Sequence, residues 1–569
     1  MIAYDFEVFV YDWLVVFKDI ATNETNIIIN DDKKLKEFYD KHQNNVFVGY
    51  NNKSYDDIIF RGILSGVDPY TTNVTLMSLE EKYKAYKLLN IKQFPLISID
   101  LMQDILGMSL KQGEGYMKLN VDECTIPFNI ERHLTEEEIQ EVVKYCCHDV
   151  DATVSLLEAR ADYVNTKLEL IKLFHLKMND LSCTNAQLCA KVLEAKKQEH
   201  DDELYYDMPD TVVIDNPTYR QILDLYVGVT LDYTKIMTLD ICGVSHTLAY
   251  GGIHAGRKNF SYVGEMWHID VNSYYPSLMI RYGFHSRNIK DPERFVEIYH
   301  DRIKAKKEGN KAKASALKLV INTTYGCMKS KYSALYDPKM ANQVCITGQL
   351  LFVDLLEKLE PYITLVQSNT DGIIVIPKDK DKVKEIVKEW ETRTGMTVGI
   401  DIYTKIYQKD VNNYIIEDEY GNIETKGAYV KQFESDGLRN TTRILDKAVV
   451  NYFLYGTKPE DIIKNEKDVF MFQYITKTGR SYGDTVWETK DGLIAVNNVN
   501  RVYASKKETD GKLLKIKEID GITIRCDSIA SLPEHCVVDN TNQLSLDDID
   551  LNWYISEAYK RINDFKGGE

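Results

Sequence analysis

Three patterns are missing from this sequence, and each absence excludes a class of protein. No run of about 18 apolar residues occurs, which argues against a membrane span. The first residues, MIAYDFEVFV, lack a basic segment followed by an apolar stretch and a small-residue cleavage site, so no secretory signal is expected. The 10 cysteines form no CxxC pair, which argues against a zinc site and a disulfide framework. Reduced thiols fit a cytoplasmic protein.

The length and the charge distribution narrow the remaining classes. A chain of 569 residues is too long for one compact core, so about two to four domains are expected. The net charge of −17 by itself argues against a nucleic-acid partner, but phosphate binding depends on where basic residues lie. Between His300 and Ser333, nine basic residues oppose two acids, Asp301 and Glu308, giving nine minus two, or +7. The nine are Arg302, Lys304, Lys306, Lys307, Lys311, Lys313, Lys318, Lys329 and Lys331. This segment indicates a phosphate-binding surface.

The first part of the chain alternates predicted strands and helices. IAYDFEVFVYDWLVVF is predicted as one strand, followed by a strand NIIIN, a helix DDKKLKEFYDKH and a strand NVFVGY. Thr135 with Glu138 forms a capping box, which predicts a helix running through EEIQEVVKYCCHDVDATVSLLEARADYV. An α/β domain is therefore expected at the N-terminus.

Four acids of this domain form a candidate metal site. Asp5 and Glu7 are two residues apart in a strand and share a face, and Asp56 follows in NKSYD. Tyr145 and Asp149 are four apart, which places them on one helix face. Four such acids can hold two divalent metals about 3.5–4 Å apart, and Tyr145 can orient a water. Each piece alone has a simpler interpretation, a solvated strand edge or an amphipathic helix.

In this order, the residues resemble the DEDD exonuclease superfamily in its tyrosine form, over residues 1–160. The resemblance implies metal binding by Asp5, Glu7, Asp56 and Asp149, with Tyr145 catalytic. It also implies that Asn52 and Tyr55 contact DNA. The same role is implied for Ser109 and Leu110, which belong to a Ser109–Leu110–Lys111 motif.

The string HIDVNSYYPSLMI combines a strand-end acid with a nearby aromatic. Asp270 ends an apolar strand, and Tyr275–Pro276–Ser277 interrupts it where a helix can start. The string resembles motif A of family B DNA polymerases. That resemblance implies that Asp270 and the Val271 carbonyl bind metal and that Tyr275 excludes a 2′-hydroxyl.

A lysine-bearing helix follows in KLVINTTYG, which resembles motif B of the same family. Helical geometry places Lys318, Asn322 and Tyr325 on one face, and Lys311 joins it one heptad earlier. A lysine there can neutralise a triphosphate. In the preceding helix, Arg302 and Lys306 match the residues of the family that bind the phosphates from the opposite side. Lys304, Lys307 and Lys313 are better interpreted as solvent-exposed residues of a basic helix pair.

LVQSNTDGIIVI resembles motif C, a β-hairpin with acids at its tip. Asp371 fits the metal-binding acid, but Asn369 stands where the family has a second aspartate. Asparagine can coordinate through its carbonyl but brings no charge, which weakens cation attraction. Tyr250–Gly251–Gly252 resembles a DNA-binding tyrosine–glycine motif. Lys426 with Tyr429 resembles the primer-binding lysine–tyrosine motif, with one extra residue between them.

The resemblance implies a multidomain α/β and α+β fold, with an RNase H-like exonuclease followed by a right-hand polymerase of palm, fingers and thumb. The expected domains are the exonuclease 1–160, a helical connector 161–245, palm 246–299, fingers 300–333, palm 334–435 and thumb 436–569. The implied enzyme is a DNA-directed DNA polymerase, a nucleotidyltransferase with 3′–5′ proofreading. It would use two Mg²⁺ or Mn²⁺ ions per active site and dNTPs. Its expected partners are primer–template DNA, single-stranded DNA and replication accessory proteins, with a monomeric chain and no membrane.

The spacing of the motifs limits the subtype. Asp270 to Lys318 is 48 residues and Lys318 to Asp371 is 53, which leaves no obvious room for the subdomains inserted in protein-primed replicases. The exonuclease motifs begin at residue 5, so an extra N-terminal domain is not expected. We therefore expect a compact phage or mobile-element replicase, in the host cytoplasm if phage-encoded. The alternatives are a protein-primed replicase and a catalytically impaired DNA-binding scaffold.

Overall fold

The computed structural model describes residues 1–105, 107–431, 438, 442–479, 481–519, 522–529 and 531–567. The predicted palm–thumb boundary at 435–436 lies outside these residues. The strands of the described chain are Ile2–Val8 (β1), Trp13–Asp19 (β2), Thr25–Ile29 (β3), Val46–Gly49 (β4), Ile97–Asp100 (β5), Met237–Ile241 (β6), Val244–Leu248 (β7), Ala255–Gly256 (β8), Phe260–Val271 (β9), Ile363–Ser368 (β10), Gly372–Pro377 (β11), Val398–Asp410 (β12), Asn413–Asp418 (β13), Ile423–Lys426 (β14), Tyr474–Lys477 (β15), Asp484–Thr489 (β16), Gly492–Val496 (β17), Val499–Ala504 (β18), Asp510–Ile519 (β19), Ile522–Ser528 (β20) and Cys536–Val538 (β21).

The helices of the same residues are Asp32–His42 (α1), Asp56–Leu64 (α2), Pro69–Ser78 (α3), Ala85–Leu88 (α4), Leu110–Tyr116 (α5), Glu136–Ala159 (α6), Ala161–Leu173 (α7), Asn185–Val192 (α8), Pro217–Arg220 (α9), Leu223–Tyr226 (α10), Tyr274–Tyr282 (α11), Pro292–Lys307 (α12), Lys311–Met328 (α13), Pro338–Leu359 (α14), Lys380–Thr394 (α15), Arg443–Tyr455 (α16), Pro459–Asn465 (α17) and Leu551–Lys566 (α18). Among the described residues, none of these helices combines the length and the apolar character needed to cross a bilayer.

The chain divides into two compact units that do not follow chain order. Unit 1 comprises Met1–Thr184, Glu434–Arg443 and Asn465–Tyr554. Unit 2 comprises Asn185–Phe433, Ile444–Lys464 and Ile555–Glu569. The six predicted domains and the five boundaries between them stay predictions.

Unit 1 contains a five-stranded sheet in the order β3-β2-β1-β4-β5, and both faces of its central strand are buried. β1 is antiparallel to β2 and parallel to β4. Its even-numbered residues, such as Tyr4 and Phe6, pack with Phe60 of α2. Ala3 packs on the other side with Val142 of α6. Because side chains alternate along a strand, Asp5 and Glu7 share the α6 side with Ala3.

Two predicted boundaries in unit 1 are wrong. IAYDFEVFVYDWLVVF forms two strands, β1 and β2, because the chain turns between them, where the Phe9 N–H donates to the Asp12 carbonyl at 2.8 Å. The long predicted helix ends at Ala159, and α7 begins at Ala161, with Arg160 between them in a non-helical conformation. The capping box of Thr135 and Glu138 is present as predicted.

The segment 465–554 completes unit 1 by packing on the chain around α5. The buried Arg501 side chain donates to the carbonyls of Gly115 at 3.1 Å and Leu119 at 2.7 Å. The Val121 N–H donates to the Asn540 carbonyl at 2.8 Å. A Cβ on Gly115 would collide with Ile475, so glycine allows the close approach of β15.

Unit 2 is built on a seven-stranded sheet in the order β14-β13-β12-β9-β11-β10-β8. β9 lies between β12 and β11 and is antiparallel to both. The helix α14 is buried along most of its length and contacts α11, where the Tyr274 hydroxyl donates to the Gly348 carbonyl at 2.7 Å. α12 and α13 pack together as a helical pair. The predicted multidomain α/β and α+β fold class is confirmed.

Candidate active sites

The first candidate site gathers the predicted acids of unit 1. Asp5 and Glu7 lie on β1, Asp149 lies on α6, and Asp56 is the first residue of α2. The Phe6 N–H donates to Asp56 Oδ1 at 3.0 Å, which holds α2 against β1. A helix N-terminus also favours a carboxylate at this position. The sheet and two helices thus bring the four predicted acids together.

The pKa values show that these four carboxyls interact. Burial, and then the charge of Asp149, raises the pKa of Asp5 to about 8. Burial also raises the pKa of Asp149 to about 6, and Lys111 opposes that shift. The pKa values of Glu7 and Asp56 are raised by burial and by Asp5. Carboxylate oxygens in this number fit divalent cations, whose charge would offset the repulsion.

Lys111 lies inside this acid cluster. Its Nζ forms an ion pair with Asp149 and another with Glu114 at 3.1 Å, and it lies 4.4 Å from the centre of the Tyr145 ring. His148 Nε2 lies 3.5 Å from Glu114. Glu114 and His148 were missed from the sequence, although the three-residue spacing of Lys111 and Glu114 on one helix was available as a signal.

The other residues predicted here to contact DNA have contacts within the unit. Asn52 is fully buried, and its Nδ2 donates to Asp57 Oδ1 at 3.1 Å. The Tyr55 hydroxyl donates to Asn73 Oδ1 at 3.0 Å. Ser109 caps α5, and Leu110 packs against the core. Their roles in DNA binding stay predictions.

The second candidate site lies at the hairpin of β10 and β11 in unit 2. Asp270 near the end of β9 pairs in register with Gly372, the residue after Asp371. The Asn369 N–H donates to the Gly372 carbonyl at 2.8 Å and closes the hairpin. Asp270, Asn369 and Asp371 face a cavity of about 370 Å³. Its other lining residues are His254, His268, Thr370, Ile374, Tyr403, Tyr414, Ile416, Glu424 and Lys426.

The acids of this cavity repel one another. Burial, and then the charges of Asp371 and Asp401, raise the pKa of Asp270 to about 6. Within the described part of the chain, no ion pair joins Asp270 or Asp371 to a basic side chain. Two carboxylates and the nearby amide of Asn369 form an oxygen-rich donor set that fits a hard divalent cation.

Two tyrosines form a wall beside these acids. The ring centres of Tyr275 on α11 and Tyr325 on α13 lie 4.5 Å apart. Arg302 of α12 donates from Nη1 to Ser273 Oγ at 3.1 Å, directly before α11. Lys306, Lys318 and Asn322 are exposed on the helical pair, as a phosphate-binding role requires.

The tyrosine–glycine motif contacts the hairpin tip. A Cβ on Gly252 would collide with the Thr370 side chain, whereas one on Gly251 would meet no neighbour within 4 Å. Cys345 Sγ donates to the Gly251 carbonyl at 2.7 Å. Glycine at position 252 therefore allows the hairpin tip to approach the backbone closely.

Lys426 and Tyr429 have different neighbours. Lys426 lines the cavity, with its Nζ 5.8 Å from the centre of the Tyr414 ring. Tyr429 packs with Phe565, their ring centres 6.3 Å apart. The primer-binding pairing of these two residues stays a prediction.

Several residues in or near this cavity were not anticipated from the sequence. His254 contacts Asn369 Oδ1 at 3.4 Å and Thr370 Oγ1 at 3.1 Å. The His268 ring stacks on Tyr403 at 5.3 Å, and Asp401 and Glu424 lie near it. The spacing of His268 and Asp270 was a usable signal, because residues two apart in a strand share a face.

Comparison with known proteins shows similarity to DNA polymerases over short stretches. No family model matches the chain. It is 28% identical over 156 residues to DNA polymerase 1 of Aeropyrum pernix, which is 26% of this chain and 15% of that protein. It is 26% identical over 135 residues to DNA polymerase 1 of Saccharolobus solfataricus, covering 23% and 15% of the two chains. For Escherichia coli DNA polymerase II, the identity is 28% over 98 residues, covering 17% and 12%.

One solved structure that matches is the family B DNA polymerase of the hyperthermophilic archaeon Pyrobaculum calidifontis. The match covers 99% of this chain and 77% of that protein's chain, with 13% sequence identity and a TM-score of 0.42. The matched part of the Aeropyrum relative is under a fifth of its length, at 15%. The chain resembles family B DNA polymerases, as its motifs predict. The phage or mobile-element subtype and the tyrosine form of the exonuclease stay predictions.

Proposed function

We propose that this chain is a template-directed DNA polymerase that adds dNTPs to a primer 3′-hydroxyl and proofreads with a 3′–5′ exonuclease. The observation that carries the proposal is the pairing of Asp270 with Gly372, which brings Asp270 beside Asp371 at the hairpin tip. The tyrosine pair and the basic helices lie in the same unit. Acids, an aromatic wall and phosphate-binding cations are the parts that nucleotidyl transfer needs.

Each site has oxygen atoms that would hold two Mg²⁺ or Mn²⁺ ions. Asp270, Asp371 and the Val271 carbonyl would hold them in unit 2, and Asp5, Glu7, Asp56 and Asp149 in unit 1. When bound, such ions lower the pKa of the attacking oxygen and neutralise charge on the leaving oxygen. Asn369 brings no charge, so cation binding in unit 2 is weaker than with a second aspartate.

The protein's own residues orient the nucleotide. Tyr275 borders the sugar and excludes a 2′-hydroxyl, and its ring centre lies 4.5 Å from that of Tyr325, which helps to bind the nucleotide. Arg302, Lys306, Lys318 and Asn322 bind the triphosphate, whose developing charge the cations stabilise. Lys426 and Tyr429 bind the primer, and Tyr250, Gly251 and Gly252 contact DNA.

In unit 1, the chain's residues orient a water toward the terminal phosphodiester. Tyr145 is held beside Asp149, with the Lys111 ammonium 4.4 Å from its ring centre. The tyrosine hydroxyl positions the water. Asn52, Tyr55, Ser109 and Leu110 guide the single strand. The expected assembly is a monomer on primer–template DNA, with replication accessory proteins as further partners.

The test uses a primed template with dNTPs and Mg²⁺ or Mn²⁺. The wild-type chain extends and degrades primers, Asp371→Ala abolishes extension and keeps degradation, and Asp5→Ala does the reverse. If both activities survive both substitutions, the assignment of the sites is wrong. DNA binding without either activity would favour the impaired scaffold. Covalent labelling of a terminal protein with one labelled dNTP would favour the protein-primed replicase.

A further inference from the structure

Unit 2 has another, smaller cavity with three tyrosines in its wall, which we call the tyrosine pocket. Its volume is about 230 Å³, and its wall consists of Tyr233, Tyr250, Lys329, Tyr336, Pro338, Ala341 and Asn342. Ligand pockets for drug-sized molecules are about 300–1,000 Å³. This cavity is therefore the size of a single ring system rather than a whole nucleoside triphosphate.

The rings of the tyrosine pocket are held in place by their polar ends. The Tyr233 hydroxyl accepts a hydrogen bond from Asn342 Nδ2 at 2.8 Å, and the Tyr250 hydroxyl accepts one from the Asp232 N–H at 3.1 Å. The Tyr233 and Tyr250 rings meet edge to face, with centres 4.8 Å apart. Tyr233 is nevertheless 51% exposed. An aromatic ring that is held in position and exposed to solvent can stack against another ring.

Basic side chains surround the tyrosine pocket. Lys329 Nζ donates to the Tyr250 carbonyl at 3.2 Å and remains exposed. Lys197 Nζ lies 5.2 Å from the centre of the Tyr336 ring and donates to the Lys331 carbonyl. Two acids also lie at the wall: Glu203 accepts from the Tyr336 hydroxyl at 3.3 Å, and Asp232 contacts Tyr250. Interleaved aromatic rings and lysines are typical of surfaces that bind single-stranded nucleic acid.

The pocket is linked to the polymerase site through two short paths. Tyr250 is followed by Gly251 and Gly252, and Gly252 abuts Thr370 at the hairpin tip. Lys329 Nζ lies 5.1 Å from the centre of the Tyr325 ring. A strand that leaves the nucleotide site past Tyr325 therefore reaches the pocket within a short distance.

We propose that the tyrosine pocket stacks one unpaired base of the single-stranded template ahead of the nucleotide site, with Lys329 at the adjoining phosphate. The inference rests on the proposed polymerase function and extends it. Bases within a duplex are already stacked on both faces, so only an unpaired base can enter. Because every base has a π-face, the pocket has little sequence preference.

The experiment compares two primer–templates, with template 5′ overhangs of one and of six nucleotides, in binding assays without dNTP. Stacking of one base contributes about five- to 150-fold in affinity. The wild-type chain is expected to bind the longer overhang more tightly by a factor in this range. The fluorescent base 2-aminopurine is placed at each overhang position in turn, and its fluorescence is expected to be quenched at the one position that stacks in the pocket. An abasic nucleotide at that position removes the increment with no change to the protein.

Variants of the chain then locate the binding surface. Tyr233→Ala and Lys329→Gln lose the overhang-dependent increment and the quenching, whereas Tyr455→Ala, another exposed tyrosine of unit 2, keeps both. Tyr233→Ala extends the one-nucleotide overhang at the wild-type rate, and circular dichroism checks its folding. Equal wild-type affinity for both overhangs, or an abasic template that binds as well as the intact one, would overturn the proposal. Extension of the short overhang is read separately, so a failed polymerase assay is distinguishable from a failed pocket.

Discussion

The backbone N–H of Val271 donates to the carbonyl of Asp371 at 2.8 Å. This bond joins the end of β9 to the tip of the β10–β11 hairpin, so the two acids of the candidate polymerase site are fixed by main-chain contacts. Residues in the sheet hold a site more accurately than residues in a free loop. Substitutions at the hairpin tip therefore change the charge and packing of the site while the strands keep their register.

Asn369→Asp tests the charge at the hairpin tip. The added carboxylate increases attraction for a divalent cation, so the Mg²⁺ concentration for half-maximal primer extension should fall by about tenfold. Asn369→Leu removes the oxygen ligand and should raise that concentration. The measurement is extension rate against Mg²⁺ concentration. An unchanged midpoint in both variants would show that residue 369 does not take part in cation binding.

Gly252→Ala tests the contact between the tyrosine–glycine motif and the hairpin tip. Its new Cβ collides with Thr370, and overpacking of this kind costs about 1–3 kcal/mol. We expect slower primer extension with unchanged exonuclease activity. Gly479→Ala is the matched control, since its Cβ would meet no neighbour within 4 Å and Gly479 is not among the proposed DNA contacts. The double variant Gly252→Ala/Thr370→Gly should recover extension, and a double variant as slow as the single one would contradict the explanation.

Features set by near neighbours in the chain could be predicted from the sequence. The Thr135–Glu138 capping box depends on residues three apart, and the hairpin around Asn369 depends on a short polar turn between apolar strands. The turn between β1 and β2 was missed because both flanking segments are apolar and buried. The polar Asp12 in this turn was the available signal. In the structure its carboxylate accepts a hydrogen bond from the Leu134 N–H at 2.8 Å.

Contacts between distant segments could not be predicted from the sequence. Lys111 meets Asp149 across 38 residues, and Arg501 meets Gly115 across 386. No local periodicity encodes either pairing, because each depends on how complete elements pack. The same reason explains why the acids Asp401 and Glu424, which lie near His268, were not anticipated.

Arg501→Met tests whether segment 465–554 supports the candidate exonuclease site. Arg501 is fully buried and also donates from Nε to Gln473 Oε1 at 2.9 Å. Its loss leaves the carbonyls of Gly115 and Leu119 without these donors and should destabilise unit 1 by about 3 kcal/mol. Because α5 carries Lys111 and Glu114, degradation of primers should fall more than extension. Lys512→Met, which removes a cation that is 43% exposed, is the control. Urea denaturation and the two activity assays make the measurement, and equal loss in both variants would contradict the role of Arg501.

The acid cluster of unit 1 makes the stability of the metal-free chain depend on pH. The folded chain holds the pKa of Asp5 at about 8 and that of Asp149 at about 6, both above the value of about 3.9 in an unfolded chain. Between these values the folded state binds more protons than the unfolded state, so stability falls as pH rises. In EDTA, the Tm of the unfolding transition should therefore fall from pH 5 to pH 8.5. Mg²⁺ should restore the Tm most at the high-pH end, where the acids are charged.

Asp5→Asn should raise the Tm in EDTA at pH 8.5 and reduce the gain from Mg²⁺. Asp40→Asn, at a residue that is 54% exposed on α1, should do neither. A wild-type Tm that rises over this pH range, or an Asp5→Asn variant with the full response to Mg²⁺, would show that these carboxyls do not form a cation site.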